Sequence, residues 1–251
     1  MEEKVFFEGE FGKICGILNT VNKDNEMVII LHGLSANKSG GASIYAKELE
    51  NININSLRID LDNQGESDLD FISQVGIPNY IKQVKSSIEF LKKQGFKEIS
   101  LIGTSFGGLV ALSTALTEKN IKRIFLRAPV LDEQKAIKSE FGEKRLEEYK
   151  EKGFIPYING KGQNLNHSFN RYTTAKDYSM YDRAKEINQP IKIIQGDKDK
   201  EVDYKVALEV IKLFPNAELN IIKGATHNLS VNGDFTIGLE KLKEFFSKKL
   251  N

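Results

Sequence analysis

The chain has 251 residues, 40% of them apolar, which suits one large domain with a sizeable core. Its 36 Lys and Arg against 35 Asp and Glu leave a net charge of +1, so there is no electrostatic footprint for nucleic acid or for a strongly charged membrane surface. The single cysteine, Cys15, excludes an intramolecular disulfide.

The N-terminus, Met1–Glu8, lacks the basic start and apolar stretch of a secretory signal. No run approaches the ~18 apolar residues of a membrane span. A cytoplasmic protein without an integral membrane segment is expected. Val5–Glu8 and Ile14–Val21 read as an antiparallel start to a sheet. Cys15 lies in the second of these and reads as a buried structural thiol.

Short runs rich in β-branched residues follow at Met27–Leu31, Ile54–Ile59, Ile99–Ile102, Ile121–Leu126, Ile191–Ile194 and Leu219–Ile222. Such runs suit strands covered on both faces, as in a parallel sheet. The segments between them have helical spacing. In Tyr80–Lys93, for example, Tyr80, Ile81, Val84, Ile88 and Leu91 share one stripe. The alternation predicts a doubly wound α/β domain. It breaks between about Asp132 and Lys185, where no good sheet strand appears and eight aromatics gather. A segment this long between two strands predicts a lid or cap, 132–185, on a core formed by 1–131 and 186–251. Its aromatics suit either an apolar acyl pocket or the cap's own small core.

The chemistry centres on Gly103-Thr104-Ser105-Phe106-Gly107. A strand precedes this G-x-S-x-G pattern and a helix, Phe106–Glu118, follows it. Ser105 therefore sits on a sharp strand-to-helix turn with a helix N-terminus behind it, as a nucleophile requires. A serine hydroxyl needs a base. Of three histidines, His227 follows the last strand-like run and falls at the same sheet edge as Ser105. His32 is placed to shape the loop after Met27–Leu31, and His167 lies in the insert as a packing or surface residue. The acid belongs between serine and base in the chain. Asp197 and Asp199, after the strand Ile191–Ile194, compete for that role, Asp197 being also a turn former. Two backbone N–H donors for an oxyanion are expected at Phe106 and, in the loop Leu31–Lys38, at Leu34. Three scattered histidines and one cysteine offer no metal cluster, and no phosphate-binding glycine motif stands at a strand end. No metal or cofactor is expected.

Along nearly its whole length the chain resembles the α/β-hydrolase superfamily, and within it the cinnamoyl (feruloyl) esterases and the related lysophospholipase-like and serine-aminopeptidase-like members. The resemblance rests on Leu31-His32-Gly33-Leu34, Arg58-Ile59-Asp60 leading to Gly65-Glu66-Ser67, Gly103–Gly108, Gly196–Val202 and Gly224-Ala225-Thr226-His227. Relatives commonly carry G-x-x-D-x-x-V with the triad aspartate inside it. Here that pattern falls on Gly196, Asp199 and Val202, so the resemblance selects Asp199 over Asp197. The chain departs from its relatives at Thr104 and Phe106, where His and Gln are usual, and at Asn63, where Gly is usual. The resemblance implies a serine carboxylesterase, with Ser105, Asp199 and His227 as triad and Leu34 and Phe106 as oxyanion hole. The substrate would be a small-molecule ester with an apolar, cinnamoyl-like or short-to-medium acyl group. The protein would be a monomer or homodimer. The same triad serves thioesterases, monoacylglycerol lipases, peptidases and acyltransferases, and an intact triad argues against a binding protein without catalysis.

Overall fold

A computed structural model describes residues 2–61, 65–69, 76–158, 164–231 and 235–249. Asn63 lies outside the described residues.

The chain opens with two antiparallel strands, β1 (Glu2–Gly9) and β2 (Gly12–Asn19), paired from Glu2 opposite Asn19 to Gly9 opposite Gly12. The parallel part comprises β3 (Met27–Leu31), β4 (Asn55–Ile59), β6 (Ile99–Thr104), β7 (Ile121–Arg127), β10 (Ile191–Gly196) and β11 (Ala217–Ile222). A two-residue strand, β5 (Asp68–Leu69), pairs with β2. Among the described residues the sheet runs β1-β2-β4-β3-β6-β7-β10-β11. The helices are α1 (Gly41–Asn51), α2 (Ile77–Lys93), α3 (Phe106–Ala115), α4 (Glu133–Lys152), α5 (Phe169–Ala175), α6 (Met180–Arg183), α7 (Tyr204–Val210) and α8 (Thr236–Ser247).

Every residue of β3 is buried. Met27, Ile29 and Leu31 enter the core formed with α2, α3 and α7, while Val28 and Ile30 enter the core under α1 and α8. Alternate side chains of a strand point to opposite faces, so a strand covered twice is apolar throughout. The same physics explains α3, all ten of whose residues are buried. A helix that is apolar all round belongs inside.

Between β7 and β10 the chain inserts α4, then a hairpin of β8 (Phe154–Ile158) and β9 (Asn164–Ser168), then α5 and α6. The sequence predicted no strand here. The hairpin forms its own two-stranded sheet, separate from the main one. Without burial on both faces it needs no apolar run, and Phe154 and Ile158 are exposed. Helix α4 starts at Glu133, with the Asp132 carboxylate capping Lys135 N–H, and kinks at Gly142. Aromatics of the segment pack on each other: Phe141 on Tyr149, Tyr149 on Phe169 and Phe169 on Tyr172. Among the described residues, no helix is long and apolar enough to cross a membrane.

Candidate active site

Ser105 connects β6 to α3 with φ 51° and ψ −118°. A residue with a side chain reaches this region only under strain, of order 1–3 kcal/mol, when its surroundings hold it there. They do so through the backbone. Ser105 N–H donates to the Arg127 carbonyl (2.9 Å), and its own carbonyl accepts from Gly108 and Val130 N–H (2.9 and 3.0 Å). The turn closes only because its glycines lack side chains. A Cβ on Gly103 would stand 2.5 Å from the Gly107 carbonyl oxygen, and one on Gly107 would stand 2.4 Å from that of His32.

The loop after β3 lies against this turn, for a Cβ on Gly33 would be 3.3 Å from that of Ser105. Ala36 N–H bonds the Gly33 carbonyl, and Leu34 sits within that turn. Phe106 is the first residue of α3, so its N–H has no acceptor within the helix. Both N–H groups belong to residues that line one cavity with Ser105 and His227. The Phe106 ring is pinned on two sides. Tyr80 meets it edge-on at 4.9 Å, and the Arg171 guanidinium lies 4.7 Å from its centre.

Asp199 and His227 are brought together, Nδ1 of the imidazole lying 2.8 Å from Asp199 Oδ2. The Asp199 side chain is fully buried, and three further donors reach its carboxylate. Gln195 Nε2 donates to Oδ2 at 2.7 Å, while Glu201 and Val202 N–H both donate to Oδ1 at 2.9 Å. Bonds of this kind fix a buried carboxylate in one orientation. Asp197 points elsewhere, accepting Gly224 N–H at 2.6 Å and so tying the Asp199 loop to the loop that carries His227. Nε2 of His227 has the exposed Glu201 carboxylate 3.5 Å away.

His32 is buried and structural. Leu61 N–H donates to its Nε2 (2.8 Å), which leaves Nδ1 to donate to the Gly33 carbonyl (2.8 Å). Burial pushes its pKa below the usual value. His167 is buried too, and burial with Arg171 beside it brings its pKa down to about 2. Cys15 is buried, and burial raises its thiol pKa.

The cavity holds about 850 Å³, within the range of small-molecule sites. Val130, Ala136 and Ile137 give it an aliphatic wall. Among the described side chains, none of the inserted segment's aromatics lines it; of the two roles open to them, the structure shows packing. Three contributors are not evident from the sequence: Gln195, which holds Asp199, and the Glu133–Arg171 ion pair at the cavity. Gln195 does leave a trace, since it directly follows the apolar pair Ile193-Ile194 at the sheet edge where ligands bind.

A strained serine at a strand-helix turn, on a mostly parallel sheet with helices on both faces, defines an α/β-hydrolase. Residues 22–179 match the family model described as serine aminopeptidase, S33, and the chain belongs to that family of hydrolases. No match was found among curated proteins. Solved structures share the fold. Est1E from Butyrivibrio proteoclasticus with ferulic acid bound is 22% identical over 96% of this chain and 97% of that one, with a TM-score of 0.81. A putative hydrolase from Agrobacterium vitis S4 is 18% identical over 98% and 99%, also with a TM-score of 0.81.

Proposed function

We propose that the protein hydrolyses carboxylic esters through an acyl-enzyme on Ser105. The observation that carries the reading is the buried Asp199 held 2.8 Å from His227 Nδ1, while His227 and Ser105 line one cavity. Asp199 fixes the tautomer that leaves Nε2 free to act as base, and it stabilises the imidazolium that forms. In the first step Nε2 takes the Ser105 Oγ proton as Oγ bonds to the ester carbonyl carbon. Leu34 and Phe106 N–H groups hold the resulting oxyanion, a contribution on the order of 10²–10³ in rate per donor. Collapse breaks the carbon–oxygen bond, and the leaving alcohol takes the proton from Nε2. Water then repeats the sequence on the acyl-serine, releasing the acid and restoring Ser105.

The aliphatic wall of Val130, Ala136 and Ile137 favours an apolar acyl group. Ferulic acid in the similar fold of Est1E supports testing hydroxycinnamoyl esters as well. Residues 132–185 act as the cap in this reading, since Glu133, Ala136, Ile137, Ser139, Glu140 and Arg171 line the same cavity.

A panel of p-nitrophenyl esters of increasing chain length, methyl ferulate and an aminoacyl amide tests this. Ester turnover is expected from the wild type, with a loss of about 10⁴-fold or more in Ser105→Ala. Turnover of the amide alone would replace the esterase reading with a peptidase one.

A further inference from the structure

The other buried arginines each have a carboxylate. Arg58 pairs with Glu2, Arg123 with Glu26 and Arg171 with Glu133. Arg127 is half-buried, yet among the described residues no carboxylate lies within 4.0 Å of it. Its contacts are neutral and long: Nε to Thr104 Oγ1 at 3.4 Å, and Nη1 to the His227 carbonyl and Asn228 Oδ1 at 3.5 Å. Ordinary N–H···O bonds are 2.7–3.2 Å. A partly desolvated guanidinium with five donors and no carboxylate partner among the described residues is suited to bind an anion.

Its position places it at the cavity shared by Ser105 and His227. Arg127 ends β7 and lines the cavity beside Thr104, the residue before Ser105. It shares a strand face with Phe125, toward α1 and α8. Tyr45 of α1 lines the cavity as well. It is 7% exposed, and its hydroxyl has no hydrogen-bond partner among the described residues. Burial raises the Tyr45 pKa while the charge of Arg127 opposes that rise, so the phenol is kept as a donor with the guanidinium in its field. Of the other cavity cations, Arg171 is balanced by Glu133, and Lys200 is exposed at the rim.

We propose that Arg127 and Tyr45, with Thr104 and Asn228, form a subsite for an anionic group, a carboxylate or a phosphate, on the ester that this site hydrolyses. The proposal rests on the hydrolase reading above and narrows its substrate class. A ligand anion would give Arg127 a counter-charge that none of the described residues supplies, and would hold the scissile carbonyl beside Ser105.

The test compares wild type, Arg127→Gln and Arg127→Lys on matched ester pairs. 4-Nitrophenyl hydrogen glutarate against 4-nitrophenyl pentanoate places the charge in the acyl half. 4-Acetoxybenzoate against its methyl ester places it in the leaving half. Inorganic phosphate and glutarate serve as competitive inhibitors of the neutral esters and tell the two anions apart. In wild type, kcat/KM is expected to favour the anionic member of at least one pair, or one of the anions to inhibit. Arg127→Gln should lower that preference or that inhibition on the order of 10–100-fold, the worth of a charged hydrogen bond, and Arg127→Lys should lower it less. The subsite is overturned if Arg127→Gln changes both members of each pair equally and leaves both inhibition constants as they were. Fluorophosphonate labelling of the same samples separates the two failures. A labelled enzyme indifferent to charge overturns the subsite alone, and an unlabelled wild type overturns the hydrolase reading.

Discussion

Asp197 and Asp199 stand two residues apart on one loop, yet only Asp199 meets His227. Asp199 accepts four hydrogen bonds within a fully buried setting, whereas Asp197 spends its carboxylate on Gly224. An amide at 199 keeps the shape but presents a donor toward His227 and turns the imidazole to the wrong tautomer. Asp199→Asn is therefore expected to lower kcat on a p-nitrophenyl ester by roughly 10³–10⁴-fold, and Asp197→Asn by far less. A larger loss from Asp197→Asn would contradict the assignment. Gly103, Ser105 and Gly107 were legible in the sequence because the turn tolerates so few residue types. Gln195 was not, because its role depends on a carboxylate that only the folded loop brings within 2.7 Å.

At the scale of the element, the hairpin and α5 bury a titratable group that the chemistry does not use. His167 on β9 is held neutral down to about pH 2, whereas an unfolded histidine titrates near 6.5. Below about pH 6.5 the unfolded chain therefore takes up a proton that the native one refuses, so stability falls as pH drops from there toward 2. The slope from one such group approaches about 1.4 kcal/mol per pH unit. Burial shifts His32 in the same direction. Urea unfolding between pH 7 and 4 is expected to show wild type losing stability more steeply than His167→Gln, by about one proton. Parallel slopes would contradict a buried neutral His167. The hairpin itself escaped sequence reading because polar β9, Asn164–Ser168, packs outside the main sheet and carries no apolar alternation.

Across the whole molecule, the parallel strands were legible because burial on both faces writes itself as apolar runs; β3 matches its predicted span, Met27–Leu31. The seam between the inserted segment and the core was not. It turns on Glu133 and Arg171, 38 residues apart, forming a buried ion pair against Phe106. Arg171→Met would strand the Glu133 carboxylate, a loss of about 3–5 kcal/mol, and adding Glu133→Gln should restore part of it. Urea unfolding of the single and double variants checks this, and equal losses in both would show that the pair is not coupled. The seam also reaches the serine turn, since Arg171 packs on the ring of Phe106, the residue after Ser105.

In the proposed mechanism Ser105 is a nucleophile activated by His227 and Asp199. The most direct test is fluorophosphonate labelling followed by peptide mass mapping of wild type, Ser105→Ala and His227→Ala. One phosphonyl adduct is expected on Ser105 in wild type, none in Ser105→Ala and greatly slowed labelling in His227→Ala. A folded wild type that takes up no label, or takes it up at another serine, would contradict it.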